Sequence, residues 1–253
     1  MKKLLIALPF ISLLVCMLVS FGFSNPIKKK MDSHISGKGF AVVELFTSEG
    51  CSSCPPADDA VAQLSKAYSS NVFVLGFHVD YWNYLGWKDE FSSADYSARQ
   101  QDYAAILQLS SIYTPQVIVN GKTEFTGSDK TKLHATVEQE LNNSNNAPIK
   151  LGAKASGPKN ILVEYSANAD SKGVLRIALV QLQTNSAVKR GENKGKLLHH
   201  VDVVRNFKTV AANAGSISIA LPEGLTASDC KIIAFVQNKV DMHITGAAEC
   251  AIN

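Results

Sequence analysis

Two rhythms of hydrophobic and polar positions run along this chain, and the change between them falls near residue 148. Before it, apolar runs alternate with helical patterns. Ala41-Val42-Val43-Glu44-Leu45-Phe46 is a β-type run, apolar except at Glu44. From Pro55 to Tyr68 the residues Ala57, Val61, Leu64 and Tyr68 recur at helical spacing. Pro55 and Pro56 fit only a helix start, where backbone N–H groups lack intrahelical acceptors, and Asp58 and Asp59 suit the positive end of its dipole. Val72 to Val79 reads as a second, buried strand, Tyr81 to Phe91 as an aromatic loop, and Ser93 to Leu109 as a helix. Residues 116–119 and 123–126 read as strands joined by a tight Asn120-Gly121 turn, and Ser128-Asp129 caps a helix running to Leu141. The expected order is β-α-β-α-β-β-α.

Asn, Ser and Pro make 142–148 a linker by composition. Beyond it the pattern is almost wholly strand: 149–155, 160–166, 173–182, 197–208, 215–220, 230–238 and 243–249, separated by turns rich in Gly, Asn, Ser and Pro. Seven short strands in about a hundred residues predict a β-sandwich. The predicted division is a signal segment at 1–24, a flexible polar leader at 25–38, an α/β domain at 39–141, the linker, and a β-sandwich-like domain at 149–253.

The N-terminus changes the compartment. Lys2 and Lys3 precede an apolar run from Leu4 to Phe23, and Gly22 and Ser24 are small residues placed for cleavage before Asn25. The chain is therefore expected to be periplasmic or secreted; an uncleaved segment would anchor it to a membrane instead. Removing Lys2 and Lys3 takes the formal charge from +3 to +1. No basic patch interleaves with aromatics, so nucleic acid is not an expected partner. Cys16 leaves with the segment, and the remaining cysteines are two pairs by position: Cys51 with Cys54, and Cys230 with Cys250.

Cys51-Ser52-Ser53-Cys54 is a C-x-x-C motif between a predicted strand and a predicted helix. Cys51 is expected at the helix N-terminus as the exposed, low-pKa nucleophile, with Cys54 as the buried resolving thiol. Ser52 and Ser53 would lower the thiol pKa by hydrogen bonding; Glu49, Asp58 and Asp59 would raise it. With Thr114-Pro115 and Asn120-Gly121 downstream, the chain resembles the thioredoxin-like superfamily. The resemblance implies an α/β thioredoxin-like domain followed by an all-β, sandwich-like domain, and a cis-proline at Pro115 beside the sulfurs. The stretches from Glu44 to Asp58 and from His78 to Asp89, with Arg190-Gly191-Glu192-Asn193-Lys194-Gly195, closely resemble a bacterial family of secreted proteins of unknown function.

These readings converge on an exported thiol–disulfide oxidoreductase acting on protein thiols or disulfides with an unidentified redox partner. No organic cofactor is expected, because no phosphate-binding glycine loop is present. Glu44, His78 and Asp80 are candidates for proton transfer. Trp82, Tyr84 and Trp87 form a candidate substrate lip, with packing of the loop as the alternative. Other readings are a copper(I) carrier through Cys51, Cys54 and His78, and a non-catalytic interaction module. Cys230 and Cys250 are expected to form a structural disulfide, because a hairpin folded about position 240 sets them opposite each other.

Overall fold

The computed structural model describes residues 32–33, 39–68, 70–143 and 147–253; the signal segment and most of the leader lie outside the described residues. In chain order the elements are β1 (Asp32–Ser33), β2 (Ala41–Thr47), α1 (Pro55–Ala67), β3 (Val72–His78), α2 (Ala94–Ile106), β4 (Gln116–Val119), β5 (Thr123–Thr126), α3 (Lys130–Leu141), β6 (Ile149–Ala155), β7 (Asn160–Ala167), β8 (Gly173–Ala187), β9 (Leu197–Ala211), β10 (Ala214–Ala220), β11 (Cys230–Asn238) and β12 (Ile244–Ala251).

The expected fold class is overturned. There is no thioredoxin-like α/β domain joined to a self-contained sandwich. The chain is mostly β, with three α-helices among the described residues, and one eight-stranded mixed sheet takes strands from both sides of residue 148. Its order is β12-β11-β8-β9-β3-β2-β4-β5, and β3 meets β9 at the single bridge Gly76–Val203. The long hairpin of β8 and β9 supplies the join. A four-stranded sheet, β1-β6-β7-β10, completes the architecture.

Alternation explains the layers. In β2, Val42 and Phe46 join the cluster that includes Phe77, Tyr103, Val180 and Phe235, whereas Ala41, Val43 and Leu45 face Ala57, Val61 and Leu64 of α1 and Leu133 of α3. A third core lies between the two sheets, where Leu151, Ile161 and Val163 meet Leu175, Ile177, Leu179 and Ile232. β8 and β11 thus bury both faces, which is why they read as nearly continuous apolar runs. At the hairpin between β4 and β5, Asn120 and Gly121 both have positive φ, +49° and +72°, and a side chain on Gly121 would collide with the Met242 carbonyl.

The hairpin of β11 and β12 is a second correction. Cys250 pairs with Ile232, not with Cys230. The turn sets Gln237 opposite Ile244, one residue beyond a symmetric hairpin about position 240, and Thr245, the extra residue of a bulge between Val236 and Gln237, adds a second. Cys230 and Cys250 lie on the same sandwich core face, one diagonal step apart.

Candidate functional site

The candidate site is built at the ends of β2 and β3, where two loops and a strap from the second half of the chain meet. After Thr47, residues 48–54 turn into α1. The helix starts at Pro55 with Cys54 as N-cap, so Cys51 stands a turn ahead of the helix rather than at its first residue. Neither cysteine has exposed surface, although Ser52 and Ser53 between them are exposed. The expectation of an exposed Cys51 is therefore corrected.

What covers Cys51 is specific. Asn193 in the β8–β9 loop is fully buried and donates from Nδ2 to the Glu49 and Cys51 carbonyls at 2.8 and 2.9 Å. The neighbouring Glu192 carboxylate accepts from the Ser52 N–H at 3.0 Å, which lowers its pKa. From the other side, Trp82 donates to Thr114 Oγ1 at 2.8 Å and lies so close that a Cβ on Gly50 would touch its own Cβ at 3.0 Å. Gly50 is the residue that lets the indole approach.

Around Cys51 Sγ stand Ser53 Oγ at 3.3 Å and the Thr114 carbonyl at 3.8 Å, and the Thr114–Pro115 peptide is cis. The hydrogen bond from the Cys54 thiol is the largest influence on Cys51; with Ser53 and Thr114 it outweighs burial and lowers the Cys51 thiol to about 6. Burial pushes the Cys54 thiol far up, and the neighbouring Cys51 and Asp58 push the same way. One sulfur is thus set to be a thiolate and its partner to keep its proton.

The proton-transfer candidates divide between two places: Glu44 lies on the α2 side of β2, and His78 and Asp80 lie at the end of β3. Glu44 points away from α1, into the face covered by α2. It accepts from Arg99 Nε and Nη2 at 2.6 and 2.9 Å and from the Tyr103 hydroxyl at 2.5 Å, all buried. The Arg99 guanidinium also sits 4.9 Å from the Phe207 ring centre and donates to Gln237 at 3.2 Å. Glu44 is an architectural anion that ties β2 to α2 and β11. Asp80 accepts from the Ser97 hydroxyl at 2.5 Å, fixing the entry to α2.

His78 is engaged by Asp89 at 2.7 Å through Nδ1. Burial alone would raise the Asp89 carboxyl, but the His78 ring and the N–H groups of Glu49 and Phe91 hold it below the ordinary range. Among the described residues no three His, Cys, Asp or Glu side chains are grouped to hold a metal ion, so Cys51, Cys54 and His78 do not assemble the copper site the sequence allowed. The candidate lip divides: Trp82 reaches Thr114, Trp87 donates to Glu49 Oε2 at 2.6 Å, and Tyr84 is 80% exposed.

The sequence reading missed the buried cluster beneath the cysteines. His200 of β9 lies with Nε2 at 3.5 Å from Glu49 Oε1 and Nδ1 at 3.8 Å from Asp58 Oδ1. These are ion-pair distances but too long for hydrogen bonds, so Glu49 Oε1 and both ring nitrogens are buried without a hydrogen-bond partner. Burial opposes a charge on His200, yet the two carboxylates outweigh it and push the imidazole up to about 10. Its ring packs edge-on to His78 at 4.8 Å between centres. One signal was available: in a strand His199 and His200 face opposite ways, so one of them had to look inward.

Fold and site together define a mostly β protein with a covered dithiol, in which the strap over the cysteines comes from a hairpin about 140 residues downstream. The chain belongs to the family described as Protein of unknown function (DUF1223), which matches residues 42–237. Its fold is similar to that of a protein from Agrobacterium tumefaciens known by crystal structure, with a TM-score of 0.63 and 26% identity over 83% of this chain and 92% of that one. A domain of the outer membrane lipoprotein Omp28 from Porphyromonas gingivalis matches 42% of this chain and 86% of its own, at 16% identity and a TM-score of 0.30. No curated protein matches the chain.

Proposed function

We propose that this protein is an exported thiol–disulfide oxidoreductase whose working pair is Cys51 and Cys54, with protein thiols or disulfides as substrates. The observation that carries the reading is the division of labour within one buried pair. The Cys51 sulfur is approached by the Cys54 thiol and the Ser53 hydroxyl, both able to donate to it, beside the cis Thr114–Pro115 peptide, while Cys54 is sealed at the helix cap. A static staple would not need one sulfur stabilised as a thiolate.

In the reductive direction the Cys51 thiolate attacks a substrate disulfide. One substrate sulfur leaves with the electron pair and takes up a proton, and the other stays joined to Cys51. Cys54 then loses its proton and attacks Cys51 Sγ, forming the Cys51–Cys54 bond and releasing the second substrate thiol. The substrate gains two electrons and two protons; a dithiol partner must return them to the pair. The opposite direction is the same sequence reversed. Export rests on the Lys2-Lys3 and Leu4–Phe23 pattern.

Cys54→Ala tests the reading. It removes the resolving thiol, so extracellular or periplasmic extract should yield proteins joined to Cys51 and released by reductant. A trap that captures no more than Cys51→Ala, together with no turnover of a disulfide-bonded protein by the wild type, would favour an interaction module.

A further inference from the structure

Cys54 poses a chemical problem that the working pair does not solve. Its thiol must lose a proton before it can attack, yet it has no exposed surface from which water could take that proton. An internal acceptor is needed.

Asp58 is in position. It lies four residues after Cys54, one turn along the same face of α1, and its own N–H donates to the Cys54 carbonyl at 3.1 Å. One carboxylate oxygen accepts from the Thr47 hydroxyl at 3.2 Å; the other faces His200 Nδ1. His200 in turn faces Glu49, whose second oxygen is held by the Trp87 indole. The groups around this row are Thr47 from β2, His78 from β3 with Asp89 behind it, and Phe91. On its outer side Asp58 borders a groove of about 410 Å³, shared with Pro55, Asp59, Lys196 and His199, which opens a way to water.

We infer that Asp58 is the proton acceptor for Cys54, and that His200, set between Asp58 and Glu49, is the residue that positions it. The inference rests on the oxidoreductase reading above.

Two carboxylates and one imidazolium carry a net charge of −1 in a buried space. Moving one proton from Cys54 to Asp58 conserves that buried charge and shifts it from the carboxylate to the Cys54 sulfur, at the α1 N-terminus, where the helix dipole stabilises it. The loose 3.5 and 3.8 Å spacings and the unpartnered atoms of Glu49 and His200 fit the same role. The balance is complete: the Cys54 S–H bond breaks and an Asp58 O–H bond forms. The Cys54–Cys51 bond then replaces the Cys51–substrate bond, the departing thiolate is protonated by solvent, and Asp58 gives its proton up to the water of the groove.

A chromogenic aromatic disulfide separates the two steps in stopped flow, because Cys51 attack releases one coloured thiolate and Cys54 resolution a second. With the reduced wild type, the second phase should change little with pH between 7 and 9. Asp58→Asn should leave the first phase nearly intact and slow the second by about 100-fold, the usual scale of a lost general base. That slow phase should rise in proportion to hydroxide, and Asp58→Glu should recover most of the rate. His200→Gln should slow the second phase in the same direction. Unchanged second phases in Asp58→Asn and His200→Gln would overturn the assignment. If these variants do not fold, the wild type decides alone: a second phase proportional to hydroxide from pH 7 to 9 would show that solvent, not Asp58, takes the proton. A wild type that releases only one thiolate would instead refute the oxidoreductase reading on which the relay depends.

Discussion

Glu44→Gln is the substitution whose consequence the fold dictates most sharply. The change keeps size and shape but removes the charge that Arg99 grips through two nitrogens and Tyr103 through its hydroxyl. Arg99 cannot answer by losing its proton, because a guanidinium stays protonated in proteins even where burial disfavours its charge. It would be left as a buried cation with Gln237 and aromatic rings for company. Breaking one side of a buried pair typically costs about 3–5 kcal/mol. Domains hold roughly 5–15 kcal/mol in total, so the variant should lose a large share of its stability. In urea, with a slope of about 2–3 kcal/mol per molar, the midpoint should fall by roughly 1–2 M. Replacing both partners by leucine should recover part of the loss, limited by the Tyr103 and Gln237 polar atoms it strands. The pH dependence of Cys51 alkylation, measured on the folded variant, should not move, since Glu44 and α1 lie on opposite faces of β2. A Glu44→Gln protein within ~1 kcal/mol of the wild type, a typical point-mutant effect, would refute the buried-pair argument. Normal stability with a shifted Cys51 profile would return Glu44 to the proton chemistry.

Alkylation of Cys51 should show a midpoint near pH 6, moving upward in Ser53→Ala; a midpoint near the ordinary 9.0 would contradict the site geometry. His200 has its pKa raised to about 10 in the folded chain from about 6.5 unfolded. Its stabilising contribution is therefore complete below about pH 6.5 and is lost as the pH rises through about 10, at no more than ~1.4 kcal/mol per pH unit. Unfolding free energies across that window should fall in the wild type and flatten in His200→Gln; parallel curves would show that the ring carries no charge. Asn193→Ala strips both carbonyl contacts from the strap and should cost about 1–3 kcal/mol while speeding Cys51 alkylation. A rate unchanged by that substitution would mean the strap does not govern access.

Local elements were legible because their signals are local. The helix opening at Pro55, the strands at 116–119 and 123–126, and the alternating runs of β6 and β7 follow from capping, turn chemistry and period alone. What the pattern could not carry is which distant strands meet. Nothing in the runs near Gly76 and Val203 announces their pairing, so a boundary was expected where the sheet is in fact continuous. The same blindness hid Asn193, Asp58 and His200 as one site, since their juxtaposition depends on the β8–β9 hairpin crossing to α1. Cys230 illustrates a finer limit: the turn and one extra residue at Thr245 each move the register by one, and a symmetric hairpin drawn from sequence assumes neither. Glu44 was legible as a charge in a buried strand, but its partners on α2 and β11 are invisible from β2.

The central claim is that Cys51 and Cys54 interconvert between dithiol and disulfide while the rest of the chain stays folded. Equilibrating the protein over graded ratios of reduced and oxidised dithiothreitol, then trapping and mapping peptides by mass, measures this directly. The account predicts a single two-electron transition that links Cys51 to Cys54 and reverses along the same curve. Cys51 and Cys54 remaining separately alkylated at every ratio, or linked at every ratio without reversal, would contradict it.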